Sequence, residues 1–386
     1  MDFSTNEEHR ALREAVRALA AEFGGAYYAR KAEAREHTTE LWQALGKHGY
    51  LGVNIPEEYG GGGGGLTELA IVGEETAAQG CPLLLMVVSC AISAEVISEF
   101  GTAEQRARWL PKLADGTSKI VFAITEPDAG SNTHRLSTTA TRDGDRYLLN
   151  GQKCFITGAD EADAILVVAR TAPPDTPGGG RSALSLFVVD ADAPGLVKQP
   201  QPVSVALAER QFTLFFDNVV VEADRLIGTE GDGFRQVFHG LNPERVMGAA
   251  LCVGIGRYAL ARAAAYANER KVWDVPIGAH QGVSHALAKA KIEVELAALM
   301  TARAAWLHDH GEPAGEAANM AKYAAAEAGL AAVDAAIQVH GGNGVATEYG
   351  LIPLWGMTRL LRIAPVNREM ILNYVAQHSL GLPRSY

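Results

Sequence analysis

Phe122-Ala-Ile-Thr-Glu-Pro-Asp-Ala-Gly-Ser131 is the stretch on which the reading of this chain turns. Ile120, Phe122 and Ile124 alternate as a strand does, and the period stops at Thr125. The residues that follow are small or turn-forming. Their backbone N–H groups can converge on a diphosphate, and the Ser131 hydroxyl adds a donor. Alone, Asp128-Ala-Gly130 reads as an ordinary strand-to-loop turn. Its weight comes from its surroundings, because a β run precedes it and more follow.

Outward from that stretch, residues from about 119 to 228 keep the short period. Asp143-Gly144 and Asn150-Gly151 are both predicted as hairpin turns, with Tyr147-Leu148-Leu149 between them. Ile165 to Ala169, Leu184 to Asp190 and Phe212 to Val221 are short β runs. Thr171 to Gly180, rich in Pro and Gly, is predicted to be mobile surface. Short strands with tight turns predict a compact β-barrel or sandwich.

Upstream, residues 1–118 read helical. Ser4-Thr5-Asn6-Glu7-Glu8 offers overlapping capping boxes, and Leu12, Val16, Leu19 and Phe23 recur at helical spacing. Six glycines, Gly60 to Gly65, predict a flexible turn. It is not a nucleotide loop, since no Lys-Ser/Thr follows and no strand precedes it. Glu68 to Gln79 and Leu83 to Phe100 predict two helices, and Thr102 the N-cap of another. From 229 to 386 the chain is helical again. Leu241 to Arg270, His280 to His310 and Glu316 to His340 are Ala-rich and apolar over most of their circumference, as in a bundle that also forms subunit contacts. The fold class is α+β, in the order helical domain (1–118), β domain (119–228), helical bundle (229–386).

Hydrophobic residues make up 48% and charged residues 20% of the 386, an ordinary globular balance. The net charge of −11 argues against nucleic-acid binding, so an anionic ligand needs a local basic patch. Cys81, Cys90, Cys154 and Cys252 form no metal-ligand spacing, so no metal site is expected and buried thiols in a reducing compartment are. No stretch approaches the ~20 apolar residues of a membrane span. The polar N-terminus predicts neither a secretory signal nor a transit peptide, hence a cytoplasmic protein, or a mitochondrial-matrix one if processed.

Phe122 to Ser131 resembles the flavin-binding signature of the acyl-CoA dehydrogenase family. Asn150-Gly-Gln-Lys153 and Phe155-Ile-Thr157 follow at the family's distance. Gly52-Val-Asn-Ile-Pro-Glu-Glu-Tyr-Gly60 and Gly101-Thr-Ala-Glu-Gln-Arg-Ala-Arg-Trp-Leu-Pro111 resemble its first-domain motifs, and Gln338-Val-His-Gly-Gly342 its last FAD contact. The resemblance runs nearly end to end. It implies an α domain, a β domain and a C-terminal four-helix bundle, bound FAD, and a homotetramer built as a dimer of dimers.

The resemblance also assigns residues. Phe122, Ile124, Thr125, Gly130 and Ser131 lie along the cofactor, with Thr125 at the pyrimidine edge and Ser131 at the pyrophosphate and substrate. Phe155, which is Trp in many relatives, flanks the ring beside Ile156, and Thr157 bonds near N5. Arg270, Trp273, His280 and Gln281 resemble contacts supplied by a neighbouring subunit, where relatives usually carry Phe-Gly in place of Trp273-Asp274. Gln338, Val339, Gly341 and Gly342 form the last FAD contact, with Asn367 and Glu369 also on the cofactor. Asn242, Arg245 and Val366 match positions along the acyl-CoA channel.

The family's reaction removes an α-proton with a carboxylate while the β-hydride leaves to the flavin. Relatives place that Glu either in a C-terminal loop or on a bundle helix, the latter as in isovaleryl-CoA and long-chain dehydrogenases. Alignment from Glu348-Tyr349 puts Pro365 at the loop position, which carries no base. Leu241-Asn-Pro-Glu-Arg245 fits the helix pattern, with Pro243 suited to a first helical turn, where Glu244 is also an ordinary dipole partner; with the loop position vacant, Glu244 is the expected base and Glu369 the runner-up. Proline also lacks the N–H that some relatives direct at the thioester carbonyl, so either Val366 N–H substitutes, the alignment slips by one, or the flavin ribityl hydroxyl carries more of this role. The expected activity is conversion of an acyl-CoA to trans-2-enoyl-CoA, with electrons passed to an electron-transfer flavoprotein. Two alternatives share the fold: an acyl-CoA oxidase or flavin monooxygenase, and a non-catalytic subunit of a mixed tetramer.

Overall fold

The computed structural model describes residues 6–172 and 183–384. Ser4, Thr5 and most of the 171–180 loop lie outside the described residues. The N-terminal part is helical: α1 (Glu7–Ala34), α2 (Thr39–Lys47), α3 (Leu66–Ala78), α4 (Ala94–Phe100) and α5 (Ala103–Ala114). Asn6 caps α1 by accepting from His9 N at 2.6 Å. Thr102 and Gln105 exchange bonds in a capping box on α5, and the Gln105 amide then donates to the Asp224 and Leu226 carbonyls. That second pair of bonds docks α5 on the β domain.

Two expectations fail here for physical reasons. The glycine run is not free. Gly61, Gly62, Gly63 and Gly64 donate to the carbonyls of Pro56, Gly52, Ile55 and Val53, and Gly65 donates to Glu68 Oε2. Gly61 lies so close to the Ile55 carbonyl that a Cβ would overlap it, so the run is selected for close approach rather than mobility. The helix predicted over Leu83 to Phe100 is present, but Met86–Ser93 is wound as a π-helix, with Ala94 N bonded back to Ser89 O. Ser89 and Cys90 spend their polar groups outside the helix, accepting from Ile120 N and Asn54 Nδ2.

The β domain is one eight-stranded sheet: β1 (Ile120–Ala123), β2 (Thr139–Asp143), β3 (Arg146–Thr157), β4 (Ala164–Arg170), β5 (Leu184–Asp190), β6 (Leu196–Pro200), β7 (Gln211–Glu222) and β8 (Leu226–Ile227). The order is β6-β7-β3-β2-β4-β5-β8, with β1 parallel to β4. Asp143-Gly144 turns the β2–β3 hairpin as predicted. Asn150-Gly151 does not turn. It lies inside β3 as a bulge against β7, and Gly151 sits at φ 143° with no room for a Cβ beside Thr138. Partners on both sides of β3 hold the chain extended where the local signal says turn.

The C-terminal part holds α6 (Gly233–Glu269), α7 (Gln281–Asp309), α8 (Gly315–His340), α9 (Leu351–Leu361) and α10 (Arg368–His378). Between α6 and α7 a hairpin of β9 (Lys271–Val272) and β10 (Val275–Pro276) projects. Helices α6, α7 and α8 pack on one another, and α3 packs on α6. Glu74 on α3 binds Arg13 of α1 and Arg257 of α6, and Arg257 continues to Glu295 of α7. Helix α6 is long and apolar enough to cross a membrane, yet 78% of its apolar window is buried within the protein, so it is a core helix. The four cysteines are buried free thiols, and burial pushes Cys81, Cys90 and Cys252 up to about 12.

Candidate active site

The Thr125 to Ser131 loop is held from beneath by an ion pair that the sequence motifs conceal. Lys153 and Glu126 are both buried, and Lys153 Nζ lies 2.8 Å from Glu126 Oε1 and 3.0 Å from the Ile124 carbonyl. Glu126 also accepts from Ser137 N, Ser137 Oγ and Thr138 N. Burial raises a carboxyl, but here Lys153 and these donors hold Glu126 well below the usual range. Burial in turn depresses Lys153 despite Glu126. Cys154 N donates to the Thr125 carbonyl at 2.9 Å, so loop and β3 are laced together at successive residues.

That lacing ends in a second bulge. The β3–β7 register shifts between Lys153 and Ile156, and Phe155 sits there at φ 56°. A bulge re-aims a side chain, and the Phe155 ring is 58% exposed. Gln201 Oε1 holds Phe155 N at 3.0 Å, and the Thr157 hydroxyl pairs with the Gln211 amide. Phe122 and Ile156, expected along the cofactor, have core-packed side chains. Ile124 and Thr125 are half-buried, while Gly130 and Ser131 are exposed with open space where a Gly130 Cβ would be. An exposed ring, an adjacent hydroxyl and an uncluttered loop of small residues fit a flavin dinucleotide.

Glu244 lies on α6, but not where the sequence placed it. The helix begins at Gly233, so Pro243 is interior and removes the N–H that would bond the His239 carbonyl. Glu244 is therefore not a first-turn residue, and a helix-terminus dipole does not account for it. Gly240, Glu244 and Gly248 follow one another at successive turns along one side of α6. At Gly240 the helix touches Ile92 and Val96, and at Gly248 it faces Pro365. Glu244 lies between these contacts, half-buried, and no described residue hydrogen-bonds its carboxylate. Desolvation pushes Glu244 up to about 7, against the pull of Arg245 and Lys322.

Lys322 of α8 is buried, and its Nζ donates to the Arg362 and Val366 carbonyls. This grip sets the path of the loop that carries Pro365, and burial lowers the Lys322 amine to about 8. Arg245 Nη1 donates to Asn242 Oδ1 at 2.8 Å, while its Nε is buried without a partner. Asn367 caps α10 through Met370 N and donates to Ser131 Oγ at 2.9 Å. The cofactor-signature loop and the C-terminal loop thus touch directly. Glu369, by contrast, is exposed in the first turn of α10.

The remaining expected residues lie at the surface of this chain. Trp273 is 85% exposed at the tip of the β9–β10 hairpin, where Trp273 and Asp274 both take positive φ. Arg270, His280, Gln281, Gln338, Gly341 and Gly342 are exposed, and Val339 is half-buried. Gly341 ends α8 at φ 59°, ψ −134°, a conformation that requires glycine. His340 between them is buried and stacked on Tyr266. Sequence reasoning missed Glu126, Lys153 and Lys322. The first two stand inside quoted motifs, where a charge amid small or apolar residues is the available signal.

Three family models cover the chain: acyl-CoA dehydrogenase N-terminal domain over residues 6–117, middle domain over 121–219 and C-terminal domain over 231–380. The chain is 56% identical to acyl-CoA dehydrogenase FadE12 of Mycobacterium tuberculosis over 386 residues, covering all of this chain and 99% of that protein. Among solved structures, butyryl-CoA dehydrogenase from Megasphaera elsdenii superposes with a TM-score of 0.93 at 27% identity, covering 98% of this chain and 100% of that one. A chain from work on the electron transferring flavoprotein of Acidaminococcus fermentans gives 0.93 at 28%, with the same coverage. This chain therefore belongs to the acyl-CoA dehydrogenase family of FAD-dependent oxidoreductases.

Proposed function

We propose that this enzyme dehydrogenates an acyl-CoA thioester between Cα and Cβ, with Glu244 as the base. The observation that carries this reading is the Glu244 carboxylate: half-buried, bonded by no described residue, raised to about 7, and one turn along the same face of α6 from Gly248, which faces Pro365 at the vacated loop position. The Cα–H bond breaks to Glu244 as a proton and the Cβ–H bond breaks as a hydride, leaving a C=C bond conjugated with the thioester. Bound FAD supplies the two-electron acceptor for that hydride. Phe155 and Thr157 would offer its ring an apolar wall and a hydroxyl, and Ser131, joined to Asn367, links the cofactor loop to the substrate loop. Val366 N–H takes the role of thioester donor that Pro365 cannot fill. Asn242 and Arg245 line the channel, where the unpartnered Arg245 Nε offers a donor to the acyl-CoA. Electrons then leave to an electron-transfer flavoprotein.

The test is anaerobic titration of the yellow holoenzyme with a panel of saturated acyl-CoAs. Bleaching of the flavin absorbance by one chain-length or branching class is the expected result. A fully loaded enzyme that no thioester bleaches would overturn the reading.

The proposed assembly is a homotetramer in which Arg270, Trp273, His280 and Gln281 reach a neighbour's cofactor. Ile292, Leu296, Leu299 and Trp306 support it, because they are exposed apolar residues running along α7. A groove of about 820 Å³ beside them, between α7, α8 and α10, is lined by Leu296, Met300, Met320, Ile371 and Leu372. Leu296→Glu places a charge in that stripe and is expected to yield smaller species with weakened FAD retention. Unchanged mass by light scattering would remove the stripe from the interface.

A further inference from the structure

Away from the acyl-CoA site, three metal-ligating side chains from three helices converge. Glu95 comes from α4, His239 from α6 and His308 from the last turn of α7. Their donor atoms all lie within 4.8 Å of one another. Nε2 of each histidine stands 3.2 Å from the same carboxylate oxygen, Glu95 Oε1. This separation can be set against two readings. A charge-assisted N–H···O bond closes to about 2.7–2.9 Å. Ligand atoms about 2.0–2.1 Å from a tetrahedral Zn2+ lie roughly 3.3 Å apart. The observed 3.2 Å is long for a charge-assisted bond, still within the hydrogen-bond range, and also the spacing of two ligands on one ion.

The surroundings also suit a cation. Glu99 and Asp309 add negative charge about His308, and Arg235, which lies near Glu99, is paired with Asp232. The His239 ring is set edge-on against Phe100 at 5.3 Å, which orients its Nε2. All three ligands keep partial solvent access, so an ion can enter. We propose that Glu95, His239 and His308 form a site for a Zn2+-class divalent cation, with water as the fourth ligand. The ion clasps the N-terminal helical domain to the bundle. It does so at the residue before Gly240 and five residues before Glu244, so it steadies one wall of the acyl-CoA site without touching substrate. Asp309, the next residue after His308, accepts from Leu66 N and Thr67 N at the start of α3, so the same end of α7 already anchors that domain.

Tag-free holoenzyme, dialysed against a chelator, is titrated with Co2+ and then Zn2+. The expected result is one equivalent per chain, with a tetrahedral Co2+ absorption band that Zn2+ displaces. Glu95→Gln and His239→Gln are expected to weaken binding by at least the roughly 100-fold that outer-shell losses alone can reach. His310→Gln, which alters a neighbouring histidine stacked on Trp306, leaves it unchanged. FAD absorbance reports that each variant is folded, and if a ligand variant does not fold, the wild-type stoichiometry and Co2+ spectrum still decide. Substoichiometric binding, or binding unaltered in folded ligand variants, overturns the proposal and leaves an ordinary histidine–glutamate ion pair.

Discussion

Glu244→Gln is expected to purify yellow and to lose dehydrogenation by between roughly 10²- and 10⁴-fold, the range a positioned general base contributes. The amide keeps the shape of the carboxyl but cannot take a proton. No described residue hydrogen-bonds Glu244, so the substitution breaks no structural bond, and failed folding is not the expected explanation for lost activity. The wild-type pH profile carries the same information. With Glu244 raised to about 7 by desolvation, kcat/KM should rise as pH increases through about 7, because only the carboxylate is a base. Stability should move the opposite way. A carboxyl whose folded value exceeds its unfolded value contributes stability that is complete below the unfolded value near 4.5 and is lost as pH rises through about 7. Glu244→Gln should remove that part of the pH dependence of Tm. Retained activity in Glu244→Gln, with Glu369→Gln inactive, would move the base to α10.

Lys153→Met carries the largest expected effect on stability. It strips the counter-ion from a buried carboxylate that three other donors hold in place, and breaking such a pair costs about 3–5 kcal/mol. A fall in Tm on the order of 10 °C is expected, together with loss of bound FAD, since Lys153 also ties the Ile124 carbonyl ahead of the cofactor loop. Replacing both partners with apolar residues, Glu126→Leu with Lys153→Met, should recover part of that Tm without restoring FAD. The charges are then gone together, but the loop has lost its tether. Normal Tm and normal flavin content in Lys153→Met would show that the pair does not organise the site.

What could be read from the sequence follows the range of the interaction responsible. Helical periods, the Thr102 cap and the Asp143-Gly144 turn are set by residues a few positions apart, and they appear where expected. Asn150-Gly151 and the glycine run were misread because their conformations are imposed from elsewhere: β7 and Thr138 in one case, the Val53 to Pro56 carbonyls in the other. The start of α6 was missed because Pro243 resembles a first-turn proline. At the site, the motif residues were legible as a linear pattern. The pairing of Glu126 with Lys153, and the hold of Lys322 on the Val366 carbonyl, depend on burial that no local window encodes.

The β9–β10 hairpin has a kinetic consequence. Its tip is a two-residue turn with both residues already at positive φ, flanked by paired strands, so the Trp273 ring is presented on a short and stiff support. Such a tip has little freedom left to lose on docking. In the proposed assembly the hairpin acts as a preorganised anchor. Its contribution would then lie in how long a docked neighbour stays, and therefore in the residence time of the shared cofactor, more than in how often subunits meet.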